Sequence, residues 1–441
     1  MSIFDEYKKF PDVHPNIILK TDLVRLGIKV GPRASEQFQQ MEDIAWKGYH
    51  FFSYDREDAV VMSNKVPMQL RLEDGCPVQL ETDQKSRYML DFADGEFFLS
   101  ENGEIIANNV YFPHKPAWYG MTLDDGTPME AVAQGFGDHA IFLIFNNFCE
   151  MWNTKDDCRF CNINETLKEQ KKGGESSVVR KSADQICEVV ATALAIDPLN
   201  RRQIIVSGGT IFNKYQGQTE IEFFTSRLRA MKERLGAAPP LTIQIGAQTD
   251  ENWQLLKDTG IVTNVEPNME VWDRELFKWI APGKERFCGY DEWIRRMFKG
   301  VEIFGQWMVN PNFVLGVEMA QPHGFKTVAE GVKSLVGGWD YLMAHGVLPR
   351  QRLWFIEKGS ALGDQAPPPL EYYIECQKGF AELRYKHNVV IPYASQIGAF
   401  RNYVPSSQDD FEYYHGTGPL SKKVLEARGY KGIPAYEKVL A

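Results

Sequence analysis

The chain has 441 residues, of which 44% are hydrophobic and 24% are charged, an ordinary globular composition that suits two or three domains or one barrel with additions. The formal net charge is −10 and there is no basic block, which disfavours binding to nucleic acid or to an anionic membrane surface. The start of the chain is not typical of a signal peptide, and no stretch approaches the ~18 apolar residues of a membrane span. Seven cysteines in such a chain favour a reducing cytoplasm.

Residues 1–137 are predicted to form an N-terminal accessory module rich in β-structure. A helix within 35–54 comes first and runs into an apolar, aromatic patch. Short segments separated by Asp-Gly and Asn-Gly turns then predict antiparallel strands. These strands cover residues 68–72, 78–81, 88–93, 96–99 and 105–111. A scaffold, a substrate-docking module and a dimerisation surface all remain open for this region.

From residue 138 the pattern changes to strands that alternate with helices. Strands are predicted at 141–145, 203–207, 241–245 and 262–266, within 307–317, and at 352–356. Helices are predicted at 182–195, 220–235, 250–258, 290–304, 328–344 and 370–386. Because such alternation implies right-handed crossovers and a parallel sheet, we predict an α/β fold with a partial (β/α)6 parallel barrel over 138–365. A C-terminal helix and capping extension over 366–441 completes the chain.

Three cysteines follow the first barrel strand on one loop, Cys149, Cys158 and Cys161, in a C-x8-C-x2-C arrangement. Chemistry in α/β barrels lies at the C-terminal ends of the strands, which is where this loop begins. A structural zinc site would need a fourth ligand, for which His139 and Asp157 are the nearest candidates. A [4Fe–4S] cluster held by only three cysteines instead leaves one iron open to a small molecule. Nothing indicates a disulfide, and unrelated buried cysteines would be scattered.

This loop resembles the cysteine motif of the radical S-adenosylmethionine (radical SAM) superfamily, in which an aromatic residue precedes the third cysteine, as Phe160 does here. The family usually has three residues between the first two cysteines, whereas this chain has eight, residues 150–157. The resemblance covers about residues 140–365. It implies a barrel of radical SAM type, a [4Fe–4S] cluster bound by the three cysteines, and S-adenosylmethionine (SAM) bound at the open iron.

A glycine run after the second barrel strand carries the same likeness. Ser207-Gly208-Gly209-Thr210 is similar to the GGE motif of the family, which binds the amino group of SAM. Thr210 stands where the family has glutamate, but backbone carbonyls can still accept hydrogen bonds from the amine. Taken alone, two glycines after a strand are more often only a turn.

The ends of two later strands resemble the family motifs that contact the nucleoside of SAM. Asn268 and Glu270 are two residues apart on an extended segment, so both can face one side and bond the ribose hydroxyls. A salt bridge at the barrel rim is the alternative role for Glu270. Gly316 and Glu318 lie in a stretch similar to the GxIxGxxE motif that flanks adenine, although Asn312 stands where the first glycine would be.

The resemblance implies an enzyme that reductively cleaves SAM at the cluster to a 5′-deoxyadenosyl radical, which abstracts hydrogen from a small-molecule substrate. The reaction would be a lyase, rearrangement or C–H functionalisation reaction, and a reductant such as flavodoxin or ferredoxin would supply the electron. Two alternatives remain open. One is a scaffold that binds zinc or a cluster without radical chemistry, and the other is a sulfur- or methyl-transfer enzyme that uses the same cluster.

The residues that complete the reaction are harder to identify. Gln244 and Glu357 at strand ends, and Tyr393 near an apolar segment, are candidate catalytic residues, but each is at least as often structural. Arg352 and Lys358 are candidates for binding an anionic substrate. The sequence contains no second C-x-x-C pair and no D-x-H-x-x-G segment, which disfavours a second cluster and a cobalamin-dependent methyltransferase.

Overall fold

A computed structural model describes the chain over residues 2–44, 66–136, 140–165, 168, 181–196, 203–389, 406–418 and 421–427. The aromatic patch predicted near residues 49–54 lies outside these ranges, as do His139 and Tyr393. Within them, no helix has both the length and the apolar character needed to cross a bilayer.

The N-terminal part begins with two helices that the sequence patterns did not predict, α1 (Ile3–Lys9) and α2 (Pro15–Leu26). Ser2 starts α1 with a capping box, in which its hydroxyl accepts from the Asp5 N–H and the Asp5 carboxylate accepts from the Ser2 N–H. Residues 17–24 of α2 are all buried. Because α2 has no extended polar face along this stretch, it lacks the amphipathic pattern by which a surface helix is recognised.

The five strands predicted for this region are confirmed, with small shifts at their ends. The elements are β1 (Lys29–Val30), α3 (Pro32–Gln40), β2 (Gln69–Arg71), β3 (Pro77–Gln79), β4 (Tyr88–Ala93), β5 (Glu96–Glu101) and β6 (Glu104–Val110). Strands β4 to β6 form an antiparallel meander, β1 joins β4 in parallel, and β2 and β3 form a separate antiparallel pair. Both residues of the Asp94-Gly95 and Asn102-Gly103 turns have positive φ, as two-residue hairpin turns of this type require.

The barrel follows a short helix, α4 (Met129–Val132). Its strands are β7 (Ala133–Phe136), β8 (Ala140–Ile144), β9 (Gln203–Ser207), β10 (Leu241–Gln244), β11 (Asn264–Glu266), β12 (Asn312–Leu315) and β13 (Arg350–Leu353). Strands β8 to β11 pair in parallel in chain order, and β12 pairs in parallel with β13. Parallel bridges from Val265 to Val309 and from Glu270 to Phe313 join the two groups. Strands β8 to β13 therefore form the predicted partial (β/α)6 barrel.

The helices that cover the barrel also agree with the sequence patterns, apart from one insertion. They are α5 (Ala183–Ile196), α6 (Glu220–Leu235), α7 (Asp250–Lys257), α8 (Arg274–Ile280), α9 (Pro282–Phe287), α10 (Tyr290–Phe304), α11 (Val328–Ala344) and α12 (Leu370–Lys386). The short helices α8 and α9 were not predicted, and neither was β7, which pairs antiparallel with the outer edge of β8. Two further helices, α13 (Gln408–His415) and α14 (Lys422–Ala427), lie in the C-terminal part.

One hydrophobic core runs from the N-terminal helices through the barrel to α12. Helix α12 packs against both α11 and α2. The N-terminal and C-terminal parts are also joined by a fully buried ion pair between Lys20 on α2 and Asp410 on α13, with the Nζ atom 2.8 Å from the carboxylate. Because the described core continues across residue 365, the division of the chain at residues 137 and 365 stays a prediction.

Candidate functional site

The strands of the barrel surround a cavity of about 250 Å³ on the side of their C-terminal loops. Most of the residues predicted to bind the cluster and SAM line this cavity. They are Cys149, Cys158, Phe160, Cys161, Ser207, Gly208, Gly209, Thr210, Asn268 and Glu270, and the catalytic candidates Gln244 and Glu357 line it as well. The fold thus brings together loops that are far apart in the sequence.

The loop that carries the cysteines has a defined structure. Cys149 comes directly before a 3-10 helix, Glu150–Thr154, and Lys155 then reverses the chain with a left-handed φ of 59°. In the C-x-x-C turn, the Cys161 N–H donates to the Cys158 carbonyl at 2.8 Å. This turn places both of the later thiols on the same wall of the cavity as the first.

Helices α8 and α9 hold the cysteine loop in place. The Arg159 N–H donates to the Ile280 carbonyl at 2.8 Å, and its Nε donates to the Trp279 carbonyl at 2.7 Å. The Gly283 N–H donates to the Asp156 carbonyl at 2.9 Å. A Cβ atom at Gly283 would lie 2.6 Å from that carbonyl oxygen, so the close approach requires glycine.

The three thiols lie in an environment that disfavours free thiolates. Burial raises the pKa of Cys149 and Cys158 above the ordinary value and that of Cys161 to about 12. Glu270 adds to the rise in pKa at Cys158 and Cys161, whereas the ammonium of Lys284 opposes it at Cys149 and Cys158. The thiolates therefore need a strong positive partner, and a bound metal centre supplies one because it binds thiols in their deprotonated form.

The three cysteine thiols are the anionic sulfur donors that the cavity offers to a metal centre. Among the described residues, no group of three or more His, Cys, Asp or Glu side chains is arranged to hold a metal ion. Each thiolate of a [4Fe–4S] cluster binds a different iron, so the three sulfurs stand farther apart than the ligands of one zinc ion. Of the two proposed fourth zinc ligands, Asp157 is not among the described residues that line the cavity, and His139 lies outside the described ranges.

The glycine run after β9 lies directly against the cysteine loop. A Cβ atom at Gly209 would be 2.0 Å from the Phe148 carbonyl oxygen, and one at Gly208 would be 2.2 Å from Asn146 Oδ1. The Asn146 side-chain amide donates to the carbonyls of Phe148 at 2.9 Å and Gly209 at 2.8 Å. In residues 207–210, the carbonyl of Gly208 is the one that accepts no hydrogen bond from a described residue. It is therefore available to a ligand amine.

Asn268 and Glu270 reach the cavity, but both are bonded within the protein. The Asn268 side-chain oxygen accepts from the Asn312 N–H at 3.1 Å, and the Glu270 carboxylate accepts from the ammonium of Lys284. Lys284 also donates to the Asn268 carbonyl at 2.6 Å. Glu270 has a φ of 72°, which is uncommon for a residue other than glycine and indicates that its surroundings hold it in place. Sequence reasoning missed Lys284 because it lies on α9 rather than at the end of a strand.

The remaining cavity wall has an apolar side and a polar side. The apolar side is formed by Phe136, Phe142, Ile163 and Ile205. The polar side carries Gln244, Glu266, Arg350, Arg352 and Glu357. Gln244 Nε2 donates to the Glu266 carboxylate at 2.7 Å, and Arg350 lies 3.3 Å from the same carboxylate. Glu357 accepts from the side-chain amide of Asn162 at 3.0 Å. A small molecule here would meet both carbon surface and a hydrogen-bonded polar network.

Two of the sequence candidates do not line the cavity, and a third lies outside the described residues. Gly316 packs against the ring of Tyr373, since a Cβ atom at this glycine would be 2.4 Å from the tyrosine oxygen. Glu318 is buried, accepts from the Trp272 N–H at 2.8 Å, and has its pKa raised to about 8 by burial. Neither of these residues is among the described residues that line the cavity, so their contact with SAM stays a prediction. Tyr393 lies outside the described ranges.

Comparison with known proteins gives one related sequence and a few distant structural likenesses. No protein-family profile matches the chain. It is 24% identical over 336 residues to the bacteriochlorophyllide c C-7(1)-hydroxylase of Chlorobaculum limnaeum, an alignment that covers 73% of this chain and 78% of that protein.

The solved structures with some likeness include two examples of HydG, a maturase of the [FeFe]-hydrogenase. One is 14% identical with a TM-score of 0.37 and covers 60% of this chain and 52% of its own. The other, from Carboxydothermus hydrogenoformans, is 13% identical with a TM-score of 0.39 and covers 63% of this chain and 59% of its own. The chain thus spans between half and three fifths of these two proteins, and TM-scores this low do not establish a common fold.

Proposed function

We propose that the chain is a radical SAM enzyme that uses a [4Fe–4S] cluster and SAM, and that it abstracts hydrogen from a C–H bond of a small molecule bound in the barrel cavity. The observation that carries the proposal is that three cysteines of one short loop and the glycine run after β9 line the same cavity. In that arrangement, the proposed metal-binding loop lies directly beside backbone carbonyls that can accept hydrogen bonds from an amine.

We assign Cys149, Cys158 and Cys161 as the cluster ligands. These are the three cysteines of the loop, and three thiolates leave one iron of a cluster without a protein ligand. The hydrogen bonds that fix the C-x-x-C turn against α8 hold the ligands in position before the cluster binds. The protein therefore supplies a preformed set of ligands.

SAM would occupy the part of the cavity beside the cysteine loop. The Gly208 carbonyl is available to its amino group, and Phe160 lines the cavity between the last two cysteines. Asn268 and Glu270 would hydrogen-bond the ribose hydroxyls. The Glu270 carboxylate is fixed by its hydrogen bond from Lys284. Lys284 also lines this cavity and would meet the anionic end of a ligand.

When bound and reduced, the cluster would supply one electron to SAM, and the two groups together would supply the chemistry that removes hydrogen from a C–H bond. The residues of this chain then bind, orient and shield. The apolar wall of Phe136, Phe142 and Ile205 excludes water and offers few polar groups to divert a reactive intermediate. Glu266 and Glu357 also line the cavity, and their carboxyl groups would hold or accept a proton from the substrate. A one-electron donor such as flavodoxin or ferredoxin would reduce the enzyme.

Among the possible outcomes of hydrogen abstraction, we favour functionalisation of a C–H bond over a lyase or rearrangement reaction. The support is the sequence relative that bears the name of a hydroxylase and aligns over about three quarters of both chains. The identity of the substrate is a separate question, because 24% identity does not carry a substrate from one protein to another.

Anaerobic reconstitution of the wild type, Cys161→Ala and Cys288→Ala tests the proposal. Cys288 is half-buried and is not among the cavity-lining residues, so it is a matched control. We expect the wild type and the control to bind about four irons and to form 5′-deoxyadenosine from SAM when reduced, and Cys161→Ala to lose this activity. Formation of S-adenosylhomocysteine in its place would indicate methyl transfer. A colourless protein with one zinc would contradict the proposal.

A further inference from the structure

The eight-residue insert between the first two cysteines begins with Glu150, directly after Cys149. The Glu150 side chain does not line the barrel cavity. It lines a separate cavity beside the cysteine loop. One carboxylate oxygen, Oε2, accepts from the N–H groups of Phe212 at 2.6 Å and Asn213 at 2.8 Å. These two residues follow the glycine run, so a side chain from the cysteine loop holds the backbone of the glycine loop.

The backbone of Glu150 makes a second link to the same loop. Its N–H donates to the Thr210 carbonyl at 2.9 Å. Glu150 is therefore bonded to the glycine loop on both sides of Ile211. Its N–H bonds the residue before Ile211, and its carboxylate bonds the two residues after it. Hydrogen bonds from backbone N–H groups to a carboxylate are charge-assisted and are roughly twice as strong as neutral ones.

Asn146 provides a matching link from the other side of the first cysteine. Its side chain donates to the carbonyls of Phe148 and Gly209, and its own carbonyl accepts from the Gly209 N–H at 3.4 Å. Cys149 is thus flanked by two residues that are bonded to the glycine loop. Separating the two loops would break several hydrogen bonds.

The far end of the insert is anchored to a different part of the barrel. The Asp156 carbonyl accepts from the Gly283 N–H at 2.9 Å, and the Asp156 carboxylate pairs with Arg286 at 2.6 Å. The Arg286 guanidinium also donates to the Thr154 hydroxyl at 3.1 Å. The insert therefore connects α9 to the glycine loop. Glu150 lies at the end of the insert that contacts the glycine loop.

We propose that Glu150 is a positioning residue that sets the glycine loop in register with Cys149, so that the Gly208 carbonyl faces the amino group of a SAM molecule bound at the cluster. This inference rests on the proposed function and adds to it a role for the enlarged spacing between the first two cysteines. Glu150 touches neither cluster nor SAM and acts through the backbone of residues 210–213.

The test compares Glu150→Ala and Glu150→Gln with the control Glu233→Ala. Glutamine keeps one side-chain oxygen that can accept from both N–H groups, whereas alanine removes the acceptor. Glu233 lies on the exposed face of α6, so its loss should not alter the site. For each reconstituted enzyme we would measure iron content, the Kd for SAM, and hydrogen exchange of the peptide that contains Phe212 and Asn213.

We expect iron content to be preserved in all three variants. The Kd for SAM should rise roughly tenfold or more in Glu150→Ala, by no more than about threefold in Glu150→Gln, and not at all in the control. Exchange of the Phe212 and Asn213 amides should be faster in Glu150→Ala whether or not SAM is present. A purely structural role would lower iron content and SAM affinity together, and would not be rescued by glutamine.

An unchanged Kd in Glu150→Ala, in a preparation whose wild type binds SAM, would overturn this inference alone. Unchanged amide exchange in the same variant would also overturn it. That result would mean that the Glu150 carboxylate does not hold the amides of the glycine loop. If the wild type itself binds neither iron nor SAM, the proposed function fails and this inference fails with it.

Discussion

The ammonium of Lys284 is hydrogen-bonded to the carboxylate of Glu270 in the wall of the cavity that the three cysteines line. Both side chains are almost completely buried, at 11% and 8% exposure. Burial opposes the charged form of Lys284, but the neighbouring Glu270 carboxylate raises its pKa above the ordinary value. The pair thus holds an ammonium near the cysteines together with the carboxylate that balances its charge, and it joins α9 to the segment after β11.

Replacement of Lys284 by methionine should leave Glu270 as a buried and unpaired carboxylate. Removing one partner of a buried pair typically costs about 3–5 kcal/mol, so Lys284→Met should lower the midpoint of denaturant unfolding strongly. The double variant Lys284→Met/Glu270→Gln should recover part of this loss, because no isolated charge then remains. Unfolding curves with the same midpoint for Lys284→Met and the wild type would show that the pair does not stabilise the site.

Replacement of Gly209 by alanine should disrupt the cysteine loop. The added Cβ atom would lie 2.0 Å from the Phe148 carbonyl oxygen and 2.8 Å from the Cys149 Cα atom, and both are backbone atoms that cannot rotate away. We expect Gly209→Ala to bind much less iron on reconstitution. Gly337 is the control, because it lies in α11 with no atom within 4 Å of an added Cβ atom, and alanine there should stabilise the helix by about 0.5–1 kcal/mol. Full iron content in Gly209→Ala would refute the close contact.

Glu318 should make stability depend on pH. Burial raises its pKa from 4.5 to about 8, so the folded protein holds a proton that the unfolded chain releases between these values. The stability that is present below about pH 4.5 is therefore lost progressively as the pH rises towards 8. Unfolding midpoints measured from pH 5 to 8 should fall less steeply in Glu318→Gln than in the wild type. Parallel curves would show that this carboxyl group does not titrate as the structure implies.

The Lys20–Asp410 ion pair should couple the two ends of the chain. Both side chains are fully buried, and the Thr21 and Ser407 hydroxyls lie 3.1 Å apart beside them. Lys20→Met should destabilise the protein by about 3–5 kcal/mol, because Asp410 would be left buried without its cation. Limited proteolysis should then cut the C-terminal segment faster than in the control Lys8→Met, whose side chain is mostly exposed. Equal cleavage rates would mean that the two ends fold independently.

Much of the barrel could be predicted because its strands and helices repeat one pattern. Helices α6 and α11 begin where threonine caps and a glutamate three residues later form capping boxes, and both have the predicted bounds. Most of the site residues that were predicted from the ends of strands line the cavity. Gly316 and Glu318, which follow β12, are not among the described residues that line the cavity, so their role stays a prediction.

Other parts of the site depend on contacts that no local pattern contains. Lys284 reaches the cavity only because α8 and α9 fold back against the cysteine loop, and the sequence did not predict these two short helices. Glu150 belongs to an insert that differs from the usual spacing of the motif, so no motif could assign it a role. Helix α2 was not predicted because residues 17–24 are all buried, in contact with β3, β13 and α12 among others. The helix therefore lacks the exposed polar face that would produce a helical period of apolar and polar residues.

The most direct test of the account is electron paramagnetic resonance of the reduced, anaerobically reconstituted protein with and without SAM. If Cys149, Cys158 and Cys161 hold a [4Fe–4S] cluster with one iron free of protein ligands, the reduced cluster signal should change shape when SAM is added. The same signal should be absent from a variant that lacks the three cysteines. A cluster signal that SAM leaves unaltered, or a protein that binds only zinc, would contradict the account.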